Sequence, residues 1–145
     1  VFRRRAVEKN NFIDKILKII DKSKFSVIAV KEFSEEEQRI MAKKLRGGNW
    51  GDDFAEKDDS LPAAAVVVLD KKPSPQRNYE IRFVKPNRVR KLKLKLRRNF
   101  DTGGESVVHA TDTTLEAEEY SEIAFNEEKE EIKKKIEEEL NKRKR

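Results

Sequence analysis

The sequence predicts an α+β sandwich, in which helices pack against a sheet, followed by a charged C-terminal helix. Short β-branched apolar runs alternate along the chain with segments whose apolar residues recur every three or four positions. Beyond residue 125 the chain becomes almost wholly charged. We therefore assign residues 1–125 to one folded domain and residues 126–145 to a helical extension.

Composition limits the size of the core and the kinds of site. Charged residues make up 43% of the chain and apolar residues 36%, and the formal net charge is +6. This basic excess is compatible with nucleotide phosphates, nucleic acid or an acidic protein surface as a partner. The absence of cysteine excludes disulfides and thiolate metal sites, and no apolar run approaches the roughly 20 residues that span a bilayer. Because the sequence does not begin with Met, we expect it to be part of a longer protein or to lack its true start.

The first third of the chain predicts two strands and two helices. An opening strand ends at residues 1–2, and the β-branched, apolar residues 25–30 form a buried strand. Ser34 and Glu37 have the spacing of a capping box, which opens a helix that ends at the glycine pair 47–48. The earlier helix is indicated by apolar residues at helical spacing, namely Phe12, Ile13, Ile16, Leu17 and Ile20.

The middle of the chain predicts further strands. Residues 63–69 form the longest apolar run and are predicted to be the central strand, covered on both faces. Residues 79–84 alternate with a period of two, as a half-exposed strand does. Residues 89–98 are ambiguous, because their Leu/Lys alternation suits a strand while their apolar residues also line up on a helix; we favour the strand.

The only histidine follows an apolar pair that reads as the end of a buried strand. After Val107 and Val108, His109 begins a predicted turn of small polar residues. Thr113 and Glu116 follow with capping-box spacing, which predicts the start of a helix. A helix N-terminus with free N–H groups at this place suits phosphate. From spacing alone, a solvent-exposed loop histidine and a catalytic histidine both stay open.

The tail beyond residue 125 carries a narrow apolar seam. Ile132, Ile136 and Leu140 recur about once per turn among charged residues. A seam this narrow is not expected to bury itself in a globular core, so the tail is predicted to be a free solvated helix or a rod that docks on a partner. Ion pairs are expected at the favourable i,i+4 spacing in Glu131–Lys135, Glu138–Lys142 and Glu139–Arg143.

Four fragments, in order, match the motifs of a known family. They are the helix and strand at residues 12–31, the Ser-Leu-Pro-Ala-Ala-Ala-Val run at 60–66, the Leu-Arg-Arg-Asn-Phe at 96–100, and the Ser-Val-Val-His-Ala-Thr-Asp at 106–112. The last resembles N-h-h-H-G-S-D of the nucleoside diphosphate kinase family, and the third resembles that family's I-R-G-D-F. The resemblance covers roughly residues 1–125 and implies a ferredoxin-like βαββαβ sandwich.

The resemblance also implies roles for single residues. In that family the matching histidine attacks the γ-phosphate of a nucleoside triphosphate and passes the phosphoryl group to a diphosphate. His109 would be the nucleophile, with Asp112 and Glu119 in support, and Mg²⁺ would come with the nucleotide, with no residue assigned as a metal ligand. The residues implied for phosphate and nucleotide binding are Arg4, Arg97, Ser106, Thr111, Trp50 and Phe54.

Several motif positions depart from the family pattern. This chain has Arg-Arg-Arg-Ala at residues 3–6 where the family has I-K-P-D. It has Ala110 in place of a glycine, and Tyr120 in place of the glutamate that orients the histidine. We therefore expect a degenerate member with weakened or lost phosphotransfer, serving as a structural or scaffolding module like those of ciliary and flagellar proteins. An active nucleoside diphosphate kinase that forms a phosphohistidine at His109 is the alternative.

A third reading is a basic nucleic-acid or ribosome-associated binding protein. The charges could contact phosphates, although no aromatic residues interleave with them, and Trp50 and Phe54 on their own read as a satellite of the core. The basic stripe consists of Arg88, Arg90, Lys91, Lys93, Lys95, Arg97 and Arg98.

The interpretation as a structural or scaffolding module also predicts partners and a cellular location. We expect a larger protein assembly contacted through residues 126–145, ATP or NDP as ligand in the active alternative, and no membrane. The resemblance implies a cytoplasmic protein, located in the axoneme of a cilium or flagellum if its role is structural.

Overall fold

The computed structural model of the chain is a mixed α+β fold, which confirms the predicted fold class at that level. It describes residues 1–9, 11–45, 50, 60–72, 87–100, 107–111 and 113–144. The strands of this described part are β1 (Phe2–Arg3), β2 (Phe25–Glu32) and β3 (Pro62–Asp70). Its helices are α1 (Arg4–Val7), α2 (Phe12–Lys22), α3 (Glu35–Lys44), α4 (Asn87–Phe100), α5 (Thr114–Ala124) and α6 (Lys129–Arg143).

The three strands form an antiparallel sheet with β3 between β1 and β2. The prediction of a central strand at residues 63–69 is therefore confirmed. Phe2 of β1 lies opposite Ala64. Along β2 the register with β3 shifts between Val27 and Ala29, so Ile28 is an extra residue and the strand is bulged there.

Helices cover both faces of the sheet because the side chains of β3 alternate between two apolar clusters. The first cluster joins the sheet to α2 and α4, and the second joins it to α3, α5 and α6. Residues of β3 that face the first cluster are Ala64, Val66 and Val68, and those that face the second are Ala65, Val67 and Leu69.

The first cluster is centred on three phenylalanine rings. Phe2 of β1, Phe12 of α2 and Phe100 of α4 meet edge to face, with ring centroids 5.1 to 6.4 Å apart. Ile16 of α2 and Leu96 of α4 are buried beside them. Helices α2 and α4 therefore lie side by side on this face of the sheet.

The capping box predicted for the third helix is present. The Ser34 hydroxyl accepts a hydrogen bond from the Glu37 N–H, and the Glu37 carboxylate accepts one from the Ser34 N–H. This pair satisfies two of the N–H groups that a helix start otherwise leaves without partners. Helix α3 ends at Lys44.

The predicted strand at residues 89–98 is wrong, because this segment lies in α4. Leu92, Leu96 and Phe100 are buried in the first cluster at helical spacing, with Val89 packed against them. A strand would have placed Leu94 on the same face as Leu92, whereas Leu94 is 40% exposed. The sheet face needs a second helix beside α2, and tertiary packing decides against the local alternation.

The expectation that the narrow seam of the tail would not bury itself in the domain is wrong, and docking of the tail on a partner stays a prediction. Helix α6 packs against β2, where Ile132 is only 4% exposed and Ile136 lies against the second cluster. The Ser26 hydroxyl of β2 donates to Glu139 over 3.3 Å. One apolar residue per turn is enough here because α6 completes a cluster that α3 and α5 already line.

The ion pairs of α6 follow the predicted spacing in one case of three. Lys135 lies 2.8 Å from Glu131 at the i,i+4 spacing. Lys142 pairs with Glu139 at the i,i+3 spacing instead, at 2.6 Å, and this hydrogen bond lowers the pKa of Glu139 below its ordinary value. Arg143 donates to the backbone carbonyl of Asp70, which ties the end of α6 to the end of β3.

Some predicted features fall outside the described residues. These are the strand at 79–84 and the glycine pair at 47–48, together with the site residues Phe54, Ser106 and Asp112. In the part of the chain that the structure describes, no helix has the length and apolar character needed to span a membrane.

Candidate functional site

His109 lies at the edge of the sheet, on the side of β1 that faces away from β3. The residue before it, Val108, forms an isolated antiparallel bridge with Phe2. The His109 N–H then donates to the Val1 carbonyl over 2.9 Å. The strand predicted before the histidine is thus a short pairing with β1, and this pairing holds the His109 backbone in place.

The helix predicted beyond the histidine is α5, and its N-cap is confirmed. The Thr113 hydroxyl accepts a hydrogen bond from the Glu116 N–H at 3.1 Å. The Glu116 carboxylate lies near the imidazole, with 3.4 Å between its Oε1 and His109 Nε2. Glu116 therefore serves both the start of α5 and the histidine, a second role that its capping position did not predict.

Two aromatic side chains enclose the imidazole. The Tyr120 ring is 5.6 Å from the His109 ring, centroid to centroid, at an angle of 31° between the planes. The Trp50 ring is 5.8 Å away and stands edge-on at 81°. Only 17% of the His109 side chain is exposed. Tyr120 follows Glu116 by four residues on one face of α5, and that spacing is the signal that could have placed both beside the histidine.

Arg3 is the cation that stands over Trp50, and the sequence motifs did not single it out. Its central guanidinium carbon lies 4.7 Å from the Trp50 ring centroid, and its Nη1 donates to the Ser60 carbonyl over 2.7 Å. Trp50 is 3% exposed, and its buried indole Nε1 has no hydrogen-bond partner among the described residues. Arg3, Trp50 and His109 thus form a continuous row of contacts at the edge of the sheet, with Arg3 over the Trp50 ring and His109 edge-on to it.

Arg4, predicted to bind phosphate, contacts α3. Its Nε donates to the Gln38 side-chain oxygen over 2.8 Å, and its Nη2 lies 3.5 Å from the Glu35 carboxylate. The cleft of about 440 Å³ beside Arg4 is also lined by Glu8, Glu32 and Glu35. A cleft lined by three carboxylates and one guanidinium does not favour a triphosphate.

The other predicted site residues are spread over three elements. Arg97 lies in the last turn of α4, Thr111 lies in the turn before α5, and Glu119 lies on α5, all half-buried. Among the predicted nucleotide-site residues, the described ring contacts bring together Trp50 and His109. The roles of Arg97, Thr111 and Glu119 stay predictions.

Metal binding by the protein alone has no support in the described residues. No group of three or more His, Asp or Glu side chains in this part of the chain is arranged to hold a metal ion. The Mg²⁺ expected with a nucleotide would be bound largely by phosphate oxygens and water, so its role stays a prediction.

In comparisons with known proteins, no family model, no curated protein and no solved structure matches the chain.

The site has limited chemical options. With Glu116 at Nε2, an anionic phosphate that approached this nitrogen would meet a carboxylate 3.4 Å away. The described contacts of Arg3 and Arg4 direct these guanidinium groups to Trp50, Ser60, Gln38 and Glu35. The arrangement suits packing and hydrogen bonding between the sheet edge and α5 better than phosphoryl transfer from Nε2.

Proposed function

We propose that this chain is a divergent nucleoside diphosphate kinase-like domain with a structural or scaffolding role, in which phosphotransfer is weakened or lost. The observation that carries the proposal is the enclosure of His109 by Tyr120, Trp50 and Glu116. In this setting the imidazole joins the edge of the sheet to α5 by packing and by a hydrogen bond.

The order of elements supports kinship with the family. If residues 107–109 are counted as an outer strand, the order across the sheet is this segment, β1, β3 and β2, with antiparallel neighbours throughout. In the chain, α2 lies between β1 and β2, and α4 lies between β3 and the outer segment. Both helices share one face of the sheet. This is the order expected of two interleaved βαβ units, the ferredoxin-like pattern that the resemblance implies.

The surroundings of the histidine support the loss of phosphotransfer. A nucleophile needs a free approach to its reacting nitrogen and positive charge where the phosphate develops negative charge. Glu116 brings a negative charge to Nε2. Arg4, which stands where the family has a lysine, has Glu35 and Gln38 among its contacts.

An active kinase is the second candidate, and the same carboxylate is the observation in its favour. A hydrogen-bonded carboxylate fixes the orientation of an imidazole and raises its basicity. Glu116 would take the place of the family's orienting glutamate, where this chain has Tyr120. With Nε2 facing Glu116, attack on a phosphate would have to come from Nδ1.

Phosphohistidine labelling separates these two candidates. The full chain is incubated with γ-labelled ATP and Mg²⁺, and acid-labile label is compared between the wild type and His109→Gln. We expect no label above that of the variant. Label that is present in the wild type and absent from His109→Gln would overturn the loss of phosphotransfer and establish the active kinase.

In a second experiment, nucleotide binding is measured by titration calorimetry with ATP and Mg²⁺. A pure scaffold is expected to show no binding heat. Binding without label would replace the scaffold with a nucleotide sensor, and Arg97→Gln would then test the phosphate role that the resemblance implies for Arg97.

The proposal includes an assembly partner that contacts residues 126–145, in the cytoplasm and in an axoneme in particular. Because α6 uses Ile132 and Ile136 inside the domain, the partner would contact the charged outer face of α6. Exposed residues on this face include Lys134 and Glu138. Deleting α6 would uncover the second cluster, so charge reversal at Lys134 and Glu138 is the cleaner test of partner binding.

A further inference from the structure

The helix layer formed by α2 and α4 carries a concentrated positive charge on its outer surface. Helix α4 has seven basic residues and no acidic residue in 14 positions. Helix α2 adds three exposed lysines, with Asp14 and Asp21 as its only acidic residues. We call the exposed cations of the two helices the basic face; its members are Lys15, Lys18, Lys22, Arg90, Lys91, Lys95 and Arg98.

Six of the seven cations of the basic face stand in two rows, one on each helix. On α4, Lys91, Lys95 and Arg98 follow the i, i+4, i+7 spacing that places side chains on one side of a helix. On α2, Lys15, Lys18 and Lys22 follow i, i+3, i+7 in the same way. Neighbouring helix axes lie about 8–10 Å apart, and 14 helical residues extend about 21 Å. The rows therefore form a ridged, positively charged surface about two turns or more in length.

Carboxylates offset part of this charge on α2, where the exposed Asp14 and Asp21 lie one turn from Lys18, and α4 carries no carboxylate. None of the seven cations forms an ion pair with a described residue. On the other face of the sheet, by contrast, the lysines Lys133, Lys135 and Lys142 of α6 each pair with a glutamate. Among the described helices, α4 therefore carries the largest excess of positive charge, and the lysines of α2 extend it.

Arg88 does not belong to this surface, although it continues the basic stripe of the sequence. Its guanidinium pairs with Asp70 and donates to the carbonyls of Ser23 and Lys72. It also lies over the Phe25 ring. Arg88 anchors α4 to the sheet, which gives the exposed cations that follow it a fixed position.

We propose that the basic face binds the phosphate backbone of double-stranded nucleic acid. Two fixed rows of cations without an ion-pair partner among the described residues suit a dense and regular array of phosphates. Single strands are normally held by exposed aromatic side chains, and the aromatic residues of these two helices, Phe12 and Phe100, are buried. Insertion into a membrane surface would need an exposed apolar face, whereas α2 and α4 bury an apolar face in the first cluster and expose one large apolar side chain, Leu94.

Binding is measured with fluorescently labelled duplex DNA and duplex RNA of one sequence, and with the corresponding single strand, between about 50 and 200 mM salt. We expect the full chain to bind a duplex with an affinity that falls steeply as salt rises. The variant Lys91→Gln/Lys95→Gln/Arg98→Gln should bind at least about tenfold more weakly at the lower salt concentration, and its salt slope should be smaller by about three.

The matched control changes the same amount of charge on the other face of the sheet. Lys43→Gln/Lys44→Gln/Lys129→Gln alters three exposed lysines of α3 and α6 and should bind within about twofold of the wild type. Equal weakening in the two variants would overturn the proposal, because the effect would then come from net charge alone. Tighter binding of the single strand, or binding that does not respond to salt, would overturn it as well.

If the triple variant fails to fold, the binding surface is mapped on the wild-type chain instead. Unlabelled duplex is titrated into isotopically labelled wild-type chain, and amide chemical shifts are followed by NMR. Shifts concentrated on the exposed sides of α2 and α4 support the proposal. Shifts on α5 and α6, or no response to either duplex while an acidic peptide binds the basic face, would overturn it; the latter would mark the face as a protein-binding surface.

Discussion

Arg88 and Asp70 form an ion pair that joins the first turn of α4 to the end of β3. The same guanidinium reaches the carbonyl of Ser23 just before β2, over 3.2 Å, and stacks on Phe25. The Arg88 side chain is 22% exposed and that of Asp70 is 16% exposed. This one residue therefore holds α4 against the ends of both long strands.

Replacing Arg88 with Gln should lower the free energy of unfolding by about 2 kcal/mol, because the largely buried Asp70 carboxylate loses its cation. Arg90→Gln is the matched control, since Arg90 is exposed two residues further along α4, and it should change stability by less than about 0.5 kcal/mol. Urea unfolding followed by circular dichroism measures both. A similar loss in the two variants would argue against the anchoring role.

Sequence periodicity predicted most elements but failed where two periods coexist. Leu92 and Leu96 are separated by four residues, a spacing that suits a helix face as well as one face of a strand. The choice depends on the partner, and the partner is the open sheet face beside α2. Local alternation carries no information about that face, so the strand prediction for residues 89–98 was wrong for a reason outside the segment.

The packing of α6 against the sheet was also missed, because a narrow apolar seam does not show which cluster of the domain it completes. Ile132→Ala should lower the free energy of unfolding by about 2–4 kcal/mol, because Ile132 is 4% exposed within the second cluster. Leu140→Ala is the control on the same helix; Leu140 is 39% exposed, and its loss should cost less than about 1 kcal/mol. Equal and small effects in urea unfolding would restore the free rod that the narrow seam predicts.

The candidate site was predictable in its backbone and less so in its side chains. The apolar pair before His109 and the cap at Thr113 are local signals, and the bridge to Phe2 and the N-cap of α5 agree with them. Arg3 and Trp50 are far apart in the chain, so no spacing rule relates them. Their contact depends on how the fold brings residue 50 next to β1, and local sequence does not encode this.

Removing the cap of α3 tests a feature that sequence and structure share. Ser34→Ala should destabilise the protein by about 1 kcal/mol, because the Glu37 N–H loses its acceptor at the helix start. Ser34→Asp keeps an acceptor at the same place and should retain most of the stability. The measurement is the urea midpoint at constant slope, and a Ser34→Asp variant as unstable as Ser34→Ala would contradict the capping role.

The capping box of Ser34 and Glu37 also makes the free energy of unfolding depend on pH. The Ser34 backbone N–H, with help from the Ser34 hydroxyl and Lys31, lowers the pKa of Glu37 below its ordinary value of 4.5. A carboxyl group whose pKa is lower in the folded protein contributes stability above its unfolded pKa and loses it as the pH falls through the folded pKa. The stability difference between wild type and Glu37→Gln should therefore be larger at about pH 7 than at about pH 3. Glu36→Gln, on the exposed side of the same turn, is the control, and a difference that grows toward acid pH would contradict the assigned sign.

The stack around His109 gives a stability prediction that labelling alone cannot supply. His109→Ala should lower the free energy of unfolding by about 2 kcal/mol, because it removes both aromatic contacts and the hydrogen bond to Glu116. Leu115→Ala is the control nearby, since Leu115 is 78% exposed, and it should be close to neutral. A residue kept for chemistry alone would leave stability unchanged when truncated. Unfolding that is equally easy in wild type and His109→Ala, together with a phosphohistidine in the wild type, would reverse the structural role assigned to this ring.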